Sequence, residues 1–154
     1  MPEVSASIVI RAPIETVYAS ARRVEDFPSF MPDLKSVTIL ERNGDVPTLT
    51  EWVGTVEGRR IRWVEEDEWD DAAHRCRFRQ REGDFDSYEG TWDFAADGGG
   101  TRTTITVEFE FGIPLIGRLL SGLLRMKMRE NIDGMLKALQ QQIEGGTRDT
   151  VAGR

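Results

Sequence analysis

Residues 87–111 read SYEGTWDFAADGGGTRTTITVEFEF, and this stretch decides the fold class. Apolar and polar side chains alternate on both sides of the glycine-rich turn at 97–100, which is typical of two half-buried strands joined as a hairpin. Alternate residues of a strand point to opposite faces, so the pattern also assigns an inner face to each strand. The predicted inner set is Tyr88, Gly90, Trp92, Phe94, Ile105, Val107, Phe109 and Phe111.

The same alternation, interrupted by turn residues, continues towards the N-terminus. Strands are predicted at 4–11, 35–42, 49–57, 60–69 and 74–82, in addition to those at 87–95 and 101–111. Pro13 suits the first turn of a short helix, and the proline-rich segment 27–32 predicts a helical turn followed by a loop. Short turns between successive strands favour an antiparallel meander of seven strands, with two short helical segments after the first strand.

A long helical pattern follows the last strand and begins at Pro114. Its apolar stripe consists of Ile116, Leu120, Leu123, Leu124, Met128, Ile132, Met135, Leu139 and Ile143. A helix of this length spans about 45 Å, enough to cross a whole sheet, so the fold class is α+β. Gly145 and Gly146 predict the end of this helix, which leaves residues 1–144 as a single domain and 145–154 as a flexible tail.

Composition excludes several classes of function. The 154 residues suit one domain, and a single cysteine with a single histidine supplies neither a disulfide nor a zinc site. We expect Cys76 to be a small core residue and His74 a turn residue. The net charge of −7 disfavours nucleic acid as a partner. No signal layout or membrane-spanning run is found, so we expect a cytoplasmic protein with no metal and no cofactor, its oligomeric state open.

Four arginines alternate along the outer face of residues 75–81, a pattern that also occurs in nucleic-acid-binding stripes. Strand pairing argues for another interpretation, because acidic residues fall opposite them. The expected cross-strand pairs are Arg75 with Glu68, Arg77 with Glu66, Arg79 with Glu89 and Arg75 with Asp93. Opposite charges across neighbouring strands stabilise a sheet surface and leave little free positive potential.

Two carboxylates occupy unexpected positions on the strand at 60–69. Glu65 and Asp67 share the inner face with Trp63 and Trp69. A tight turn at Gly58 would place Trp52 opposite Glu65 and Gly54 opposite Trp63. A solid core would not hold unpaired acids, because each buried charge costs several kcal/mol, about 3–5 when its partner is missing. Either this face lines a wet or ligand-filled cavity, or a β-bulge reverses the alternation.

If the cavity exists, its walls are aromatic and its lid is the helical stripe. The walls would be Trp52, Trp63, Phe78, Tyr88, Trp92 and Phe109. Gly54 and Gly90 would leave volume or permit bending. Met126, Met128 and Met135 would adapt to an irregular ligand. The residues alone equally allow an ordinary packed core.

Several segments in this order resemble the START-like (Bet v 1-like, SRPBCC, helix-grip) superfamily, within its polyketide cyclase and coenzyme Q-binding group. The segments are 10–18, 24–32, 37–42, 83–94 and 109–111, and the resemblance runs from about residue 4 to 143. It implies a curved seven-stranded antiparallel sheet that grips the C-terminal helix, with a deep pocket for a lipid, quinone or polyketide. It also implies that the loop from Phe27 to Met31 lies near the pocket mouth.

Three functions are compatible with these observations. The first is binding or transport of a hydrophobic small molecule, and the predicted ligand-binding residues are Phe30, Trp52, Trp63, Glu65, Asp67, Phe78, Tyr88, Trp92, Phe109, Leu124, Met128 and Met135. The second is an aromatase/cyclase or dehydratase-like enzyme, with Glu65, Asp67 and Tyr88 as catalytic candidates. The resemblance implies a pocket arginine in cyclases, and the corresponding strand here carries the two acids instead.

The third function is a protein-interaction module. Its candidate surface is the set of apolar groups at Phe27, Phe30 and Met31, which we expect to be exposed. The sequence leaves transient contact with a membrane or a partner protein open.

Overall fold

A computed structural model describes residues 3–56, 58–111 and 117–152 of the chain, and the account of side chains leaves out 56, 117–121 and 146–152. The elements in chain order are β1 (Glu3–Ile10), α1 (Ile14–Arg22), a 3₁₀ helix (Val24–Ser29), β2 (Leu34–Asn43), β3 (Val46–Val56), β4 (Arg59–Asp70), β5 (Arg75–Gly83), β6 (Ser87–Asp97), β7 (Gly100–Glu110) and α2 (Gly117–Ala152). The predicted strands and short helices are confirmed, with ends that differ by a few residues.

All seven strands form one antiparallel sheet in the order β1-β7-β6-β5-β4-β3-β2. The order is a meander from β2 to β7, with β1 added at the far edge beside β7. The core lies between the inner face of this sheet and α2, whose Ile132, Leu136 and Leu139 are fully buried. The predicted α+β helix-grip architecture is therefore confirmed.

The register of the β3–β4 hairpin differs from the prediction by two residues. Trp52 pairs with Trp63 rather than with Glu65, and Gly54 pairs with Ile61 rather than with Trp63. The reason is the turn, because Gly58 has a φ of +75° and is its second residue, not its centre.

The β4–β5 hairpin shows a shift of the same size. Arg75 pairs with Asp70 rather than with Glu68, and Arg77 pairs with Glu68 rather than with Glu66. The turn extends to His74, whose φ is +52°. An even shift leaves each side chain on its predicted face, so the face assignments survive in both hairpins.

Gly90 has a different role from the one the sequence suggested. A Cβ atom at this position would overlap the backbone oxygen of Thr106 and lie 2.7 Å from the ring of Phe78. Neighbouring backbone and an aromatic ring therefore occupy the space that a side chain would need. Gly90 permits close packing of β6 against β7 and does not enlarge a pocket.

The helix α2 departs from the prediction at its C-terminal end and at one residue of its apolar stripe. It continues through Gly145 and Gly146 to Ala152, so the predicted end at these glycines was wrong. The predicted start at Pro114 lies outside the described residues. Leu123 is 46% exposed and Met126 is 49% exposed. Adjacent helical residues lie about 100° apart, so only one of Leu123 and Leu124 can face the sheet, and Leu124 does.

Candidate functional site: a buried carboxyl pair

Glu65 lies on the inner face of β4 and is only 4% exposed. The β4–β5 register does shift between Val64 and Glu65, which pair with Glu82 and Gln80. The extra residue of this bulge is Arg81 on β5, so the alternation along β4 continues undisturbed. The interpretation in which a bulge turns the two acids outward is therefore wrong for Glu65.

A chain of hydrogen bonds holds the two carboxyl groups in place. The indole Nε1–H of Trp63 donates to Glu65 Oε1 at 2.7 Å. The Thr50 hydroxyl donates to Asp67 Oδ2 at 2.6 Å, and it accepts a bond of 2.8 Å from Trp52 Nε1. The carboxyl groups of Glu65 and Asp67 are hydrogen-bonded to each other. One oxygen of each acid thus accepts from a fixed donor.

The pair resists the loss of both protons. Burial raises the pKa of Glu65 well above its ordinary value, and the negative charge of Asp67 raises it further. Burial also raises the pKa of Asp67, although the bonds from Glu65 and Thr50 oppose this shift. Two adjacent carboxylates in an apolar site resist double ionisation, so they titrate as a unit. One acid of the pair therefore keeps its proton to a higher pH than an isolated carboxyl group would.

The substitution Glu65→Gln is expected to flatten the pH dependence of stability. A carboxyl whose pKa is raised by folding contributes its full stability below the ordinary pKa of 4.5. That contribution is lost as the pH rises through the raised pKa, by about 1.4 kcal/mol per pH unit for one proton. Glutamine cannot ionise, so the variant should become more stable relative to the wild type as the pH rises.

Urea unfolding of both proteins between about pH 5 and 8 measures this difference. Cys76 and Tyr88 do not titrate in the folded protein over this range, since burial raises the pKa of both. The outer-face substitution Glu66→Gln is the control, because Glu66 is exposed beside Arg79 and Arg81. Parallel curves for wild type and Glu65→Gln would contradict the raised pKa of Glu65.

Aromatic rings surround the carboxyl pair. Trp52 and Trp63 stack with their ring centroids 5.8 Å apart, and Phe85 and Tyr88 stack at 4.5 Å. A cavity of about 30 Å³ lies between these rings and α2. Its lining consists of Leu34, Trp52, Trp63, Glu65, Phe78, Tyr88, Trp92, Ile105, Asn131, Ile132 and Met135. This volume suits about one water molecule, so the predicted deep pocket is nearly closed in this structure.

The structure brings most of the predicted lining residues together. Seven of them border the cavity: Trp52, Trp63, Glu65, Phe78, Tyr88, Trp92 and Met135. Sequence reasoning placed Ile105 on the inner face and Ile132 on the helical stripe, but it missed Leu34 and Asn131. A signal existed for Asn131, because it precedes Ile132 and lies one turn before Met135 on the stripe of α2. A polar residue beside such a stripe is a candidate for contact with a polar group inside.

Five predicted residues lie away from the cavity lining. Asp67 adjoins Glu65 through their hydrogen bond, and Phe30 is partly buried against Phe27. Phe109 packs among Phe85 and Phe111. The remaining two, Leu124 and Met128, belong to the core on α2.

The predicted apolar surface around the 3₁₀ helix does not exist. Phe27 is fully buried and Met31 is 1% exposed. The ring of Phe27 contacts Trp52 and Trp92 at centroid distances of 6.0 and 5.9 Å. The 3₁₀ helix therefore directs Phe27 into the concave face of the sheet, where it occupies space that a ligand would otherwise fill. The expectation of an exposed interaction surface was wrong.

The outer face of the sheet carries the arginine row as predicted. Arg75 bonds Asp93 at 2.5 Å, and Arg79 and Arg81 lie within 3.8 Å of Glu66. The pairings of Arg75 with Asp93 and of Arg79 with Glu89 are confirmed. An open hollow of about 780 Å³ lies on this face. Nine of its fifteen lining residues are charged, with both signs present, so we place the candidate site on the inner face instead.

His74 and Cys76 have the structural roles expected of them. His74 ends the β4–β5 turn, and its Nε2 lies 2.7 Å from Glu15 Oε1. Cys76 is buried, and burial raises the pKa of its thiol. A thiol that stays protonated is a poor nucleophile. No helix in the described part of the chain combines the length and apolar character that crossing a membrane requires.

Comparison with known proteins places this geometry in context. A family model described as polyketide cyclase/dehydrase and lipid transport matches residues 10–136. The crystal structure of TTHA0849 from Thermus thermophilus is 39% identical, with a TM-score of 0.88, 94% of this chain covered and 99% of that one. A START superfamily protein from Mycobacterium smegmatis shares the fold at 20% identity, with a TM-score of 0.82 and coverage of 93% and 97%.

One curated relative carries a named activity. The actinorhodin polyketide synthase bifunctional cyclase/dehydratase of Streptomyces coelicolor is 32% identical over 101 residues. The matched region is 64% of this chain and 32% of the relative, so the match spans about a third of that protein's length.

Proposed function

Because the chain belongs to the polyketide cyclase/dehydrase and lipid transport family of the START-like superfamily, we propose that it binds a hydrophobic small molecule between the sheet and α2. The observation that carries this proposal is the burial of Glu65, which accepts a hydrogen bond from Trp63 Nε1 and adjoins the half-buried Asp67. A core that served packing alone would gain from apolar residues at these positions. Aromatic walls with a few convergent polar groups are typical of small-molecule sites.

The polar groups define one end of the ligand. The protonated carboxyl of the pair can donate a hydrogen bond, and so can the phenol of Tyr88, whose pKa burial raises well above its ordinary value. Asn131 borders the same cavity and can donate or accept. A lipid, quinone or polyketide with a carbonyl or hydroxyl group at one end matches this arrangement. Its apolar remainder would lie among the tryptophans.

Ligand binding requires the cavity to widen. A volume of about 30 Å³ admits no molecule of this class. The side chain of Met135 borders the cavity, and that of Met128 is buried on the same helix. Methionine has three flexible torsions and repacks at low cost. We propose that displacement of these side chains, together with a small shift of α2, opens the site.

Filling the cavity is expected to abolish ligand binding. In the variant Met135→Phe, the larger and stiffer ring occupies the space into which a ligand would enter. We expect at least about a tenfold loss of affinity for a hydroxylated anthraquinone or menadione, equivalent to about 1.4 kcal/mol. Quenching of tryptophan fluorescence by the quinone measures binding, since three tryptophans border the cavity.

Leu40→Phe is the matched control, because Leu40 is 47% exposed on β2. Circular dichroism establishes that both variants are folded. If wild type takes up none of these compounds, or if Met135→Phe binds them as tightly, the proposed site is wrong.

A second candidate function is a cyclase or dehydratase. The specific observation is the hydrogen-bonded carboxyl pair, because one carboxyl group can act as the acid while its neighbour acts as the base in a water-poor site. Loss of water from a β-hydroxy carbonyl compound needs a base to remove the α-proton and an acid to protonate the departing hydroxyl. The partial match to a bifunctional cyclase/dehydratase supports this candidate.

Two further expectations stay predictions. One is the cytoplasmic location expected from the single cysteine, which cell fractionation tests. The other is that residues 1–144 suffice as the ligand-binding domain, which limited proteolysis followed by the quinone assay tests.

A further inference from the structure

The first described turns of α2 are apolar on two sides. Leu124 and Met128 face the sheet and pack in the core. Leu123 and Met126 lie three residues apart on another face, and about half of each side chain is exposed. Elsewhere in the described chain, Leu40 is the other large apolar side chain with comparable exposure. Two such residues side by side on one helix form a surface that water solvates poorly.

Positive charge is concentrated along the same part of the helix. Residues 117–129 contain four basic residues and no acidic one, within a chain whose net charge is −7. Arg125 and Arg129 are exposed, and Lys127 lies 3.6 Å from Glu130. Glu130 and Asp133 are the acids that follow, so they mark the end of the basic segment. These exposed positive charges favour contact of the N-terminal half of α2 with a negatively charged partner.

We propose that the surface formed by Leu123, Arg125, Met126 and Arg129, here called the α2 surface, docks on an anionic lipid bilayer. Exposed apolar side chains flanked by arginines are what a helix needs to lie in the interface of such a bilayer. Charge complementarity selects anionic lipid over an apolar partner protein. The overall negative charge does not prevent docking, because at physiological salt charges act over about 8 Å only.

Docking would bring the candidate site close to the bilayer. Asn131 and Met135 border the cavity, and they follow Met126 by five and nine residues on the same helix. At 1.5 Å per residue these positions lie about 8 and 14 Å further along the axis. An apolar ligand could then pass between bilayer and cavity along α2. The docking itself does not depend on the proposed ligand.

Vesicle flotation tests the docking. We expect the wild-type chain to float with vesicles of phosphatidylcholine and phosphatidylglycerol, and less with phosphatidylcholine alone. The double variant Leu123→Ser/Met126→Ser should bind about twentyfold more weakly, because it removes the apolar contact. Each of Arg125→Gln and Arg129→Gln should weaken binding about fivefold, and added salt should weaken the wild type similarly.

The control variant is Leu40→Ser, which removes an equally exposed leucine from β2 and should float like the wild type. Circular dichroism of each variant guards against unfolding. Three outcomes would overturn the proposal: no flotation with either vesicle, flotation unchanged in Leu123→Ser/Met126→Ser, or a dimer in sedimentation that the same substitutions dissociate. The last would assign the α2 surface to a second copy of the chain.

Discussion

Replacing Phe27 with alanine is expected to lower the free energy of unfolding by about 3–5 kcal/mol. The side chain is fully buried, and its ring contacts Phe30, Trp52 and Trp92 at centroid distances of 5.9 to 6.0 Å. Removing the ring leaves a cavity whose walls belong to a sheet, which collapses poorly. Domains are stable by only about 5–15 kcal/mol, so the variant should lose a large fraction of its stability.

Urea unfolding followed by circular dichroism measures this loss. Phe30→Ala is the matched control, because Phe30 lies three residues further on and is only partly buried. We expect that variant to lose about 1 kcal/mol. Two results together would contradict the burial of Phe27: a stability loss below about 1 kcal/mol for Phe27→Ala, and failure of that variant to capture a partner protein that the wild type captures. They would support the exposed interaction surface expected from the sequence.

Periodicity explains why so much of the fold could be predicted. The strand β7 alternates along its whole length, and β5 alternates over its first half. An even error in register leaves the faces of a strand unchanged. The inward direction of Glu65 was therefore predictable even though its strand partner was not. Trp52 and Trp63 likewise pair with other residues than predicted, yet both line the cavity.

Features without periodicity could not be predicted. The segment 24–29 is a short 3₁₀ helix containing Pro28, and its pattern does not say which face is buried. The burial of Phe27 depends on the concave sheet opposite, which is tertiary information. The centres of turns could not be predicted either. A left-handed φ at His74 moved the centre of the β4–β5 turn by one residue. The volume of the cavity depends on the burial of Phe27 and on the turn centres. The sequence could therefore suggest which residues line the cavity, but not how large it is.

On the polar side of the candidate site, the positions of the two acids could be predicted, but their hydrogen bonds could not. Parity placed two acids on an apolar face, where their cost demanded an explanation. The hydrogen bonds that satisfy them come from the indole of Trp63 and from Thr50, whose hydroxyl in turn accepts a bond from the indole of Trp52. Sequence patterns do not reveal such bonds, because alternation identifies the rings only as hydrophobic walls. The same indoles thus serve as walls and as hydrogen-bond donors.

If the chain is a dehydratase, Glu65→Gln and Asp67→Asn should each lower kcat by at least about 100-fold, the usual contribution of general acid–base catalysis. The carboxylate of the pair would remove the α-proton of a β-hydroxy carbonyl substrate, while Tyr88 donates to the enolate oxygen. The carboxylic acid would then give its proton to the hydroxyl, which leaves as water as the carbon–carbon double bond forms. The pair gains one proton and loses one, so it returns to its initial state.

The new conjugated double bond gives an absorbance change that measures turnover of a β-hydroxy ketone. Glu66→Gln is the matched control, because Glu66 is the next residue on β4, exposed on the opposite face. Both site variants should still quench with menadione, since their aromatic walls are intact. Normal kcat in both variants would show that the carboxyl pair takes no part in the chemistry. If the wild type binds the quinone but shows no turnover, the carrier function is the one that remains. A proton on the pair would then serve to orient a ligand carbonyl rather than to move protons on it.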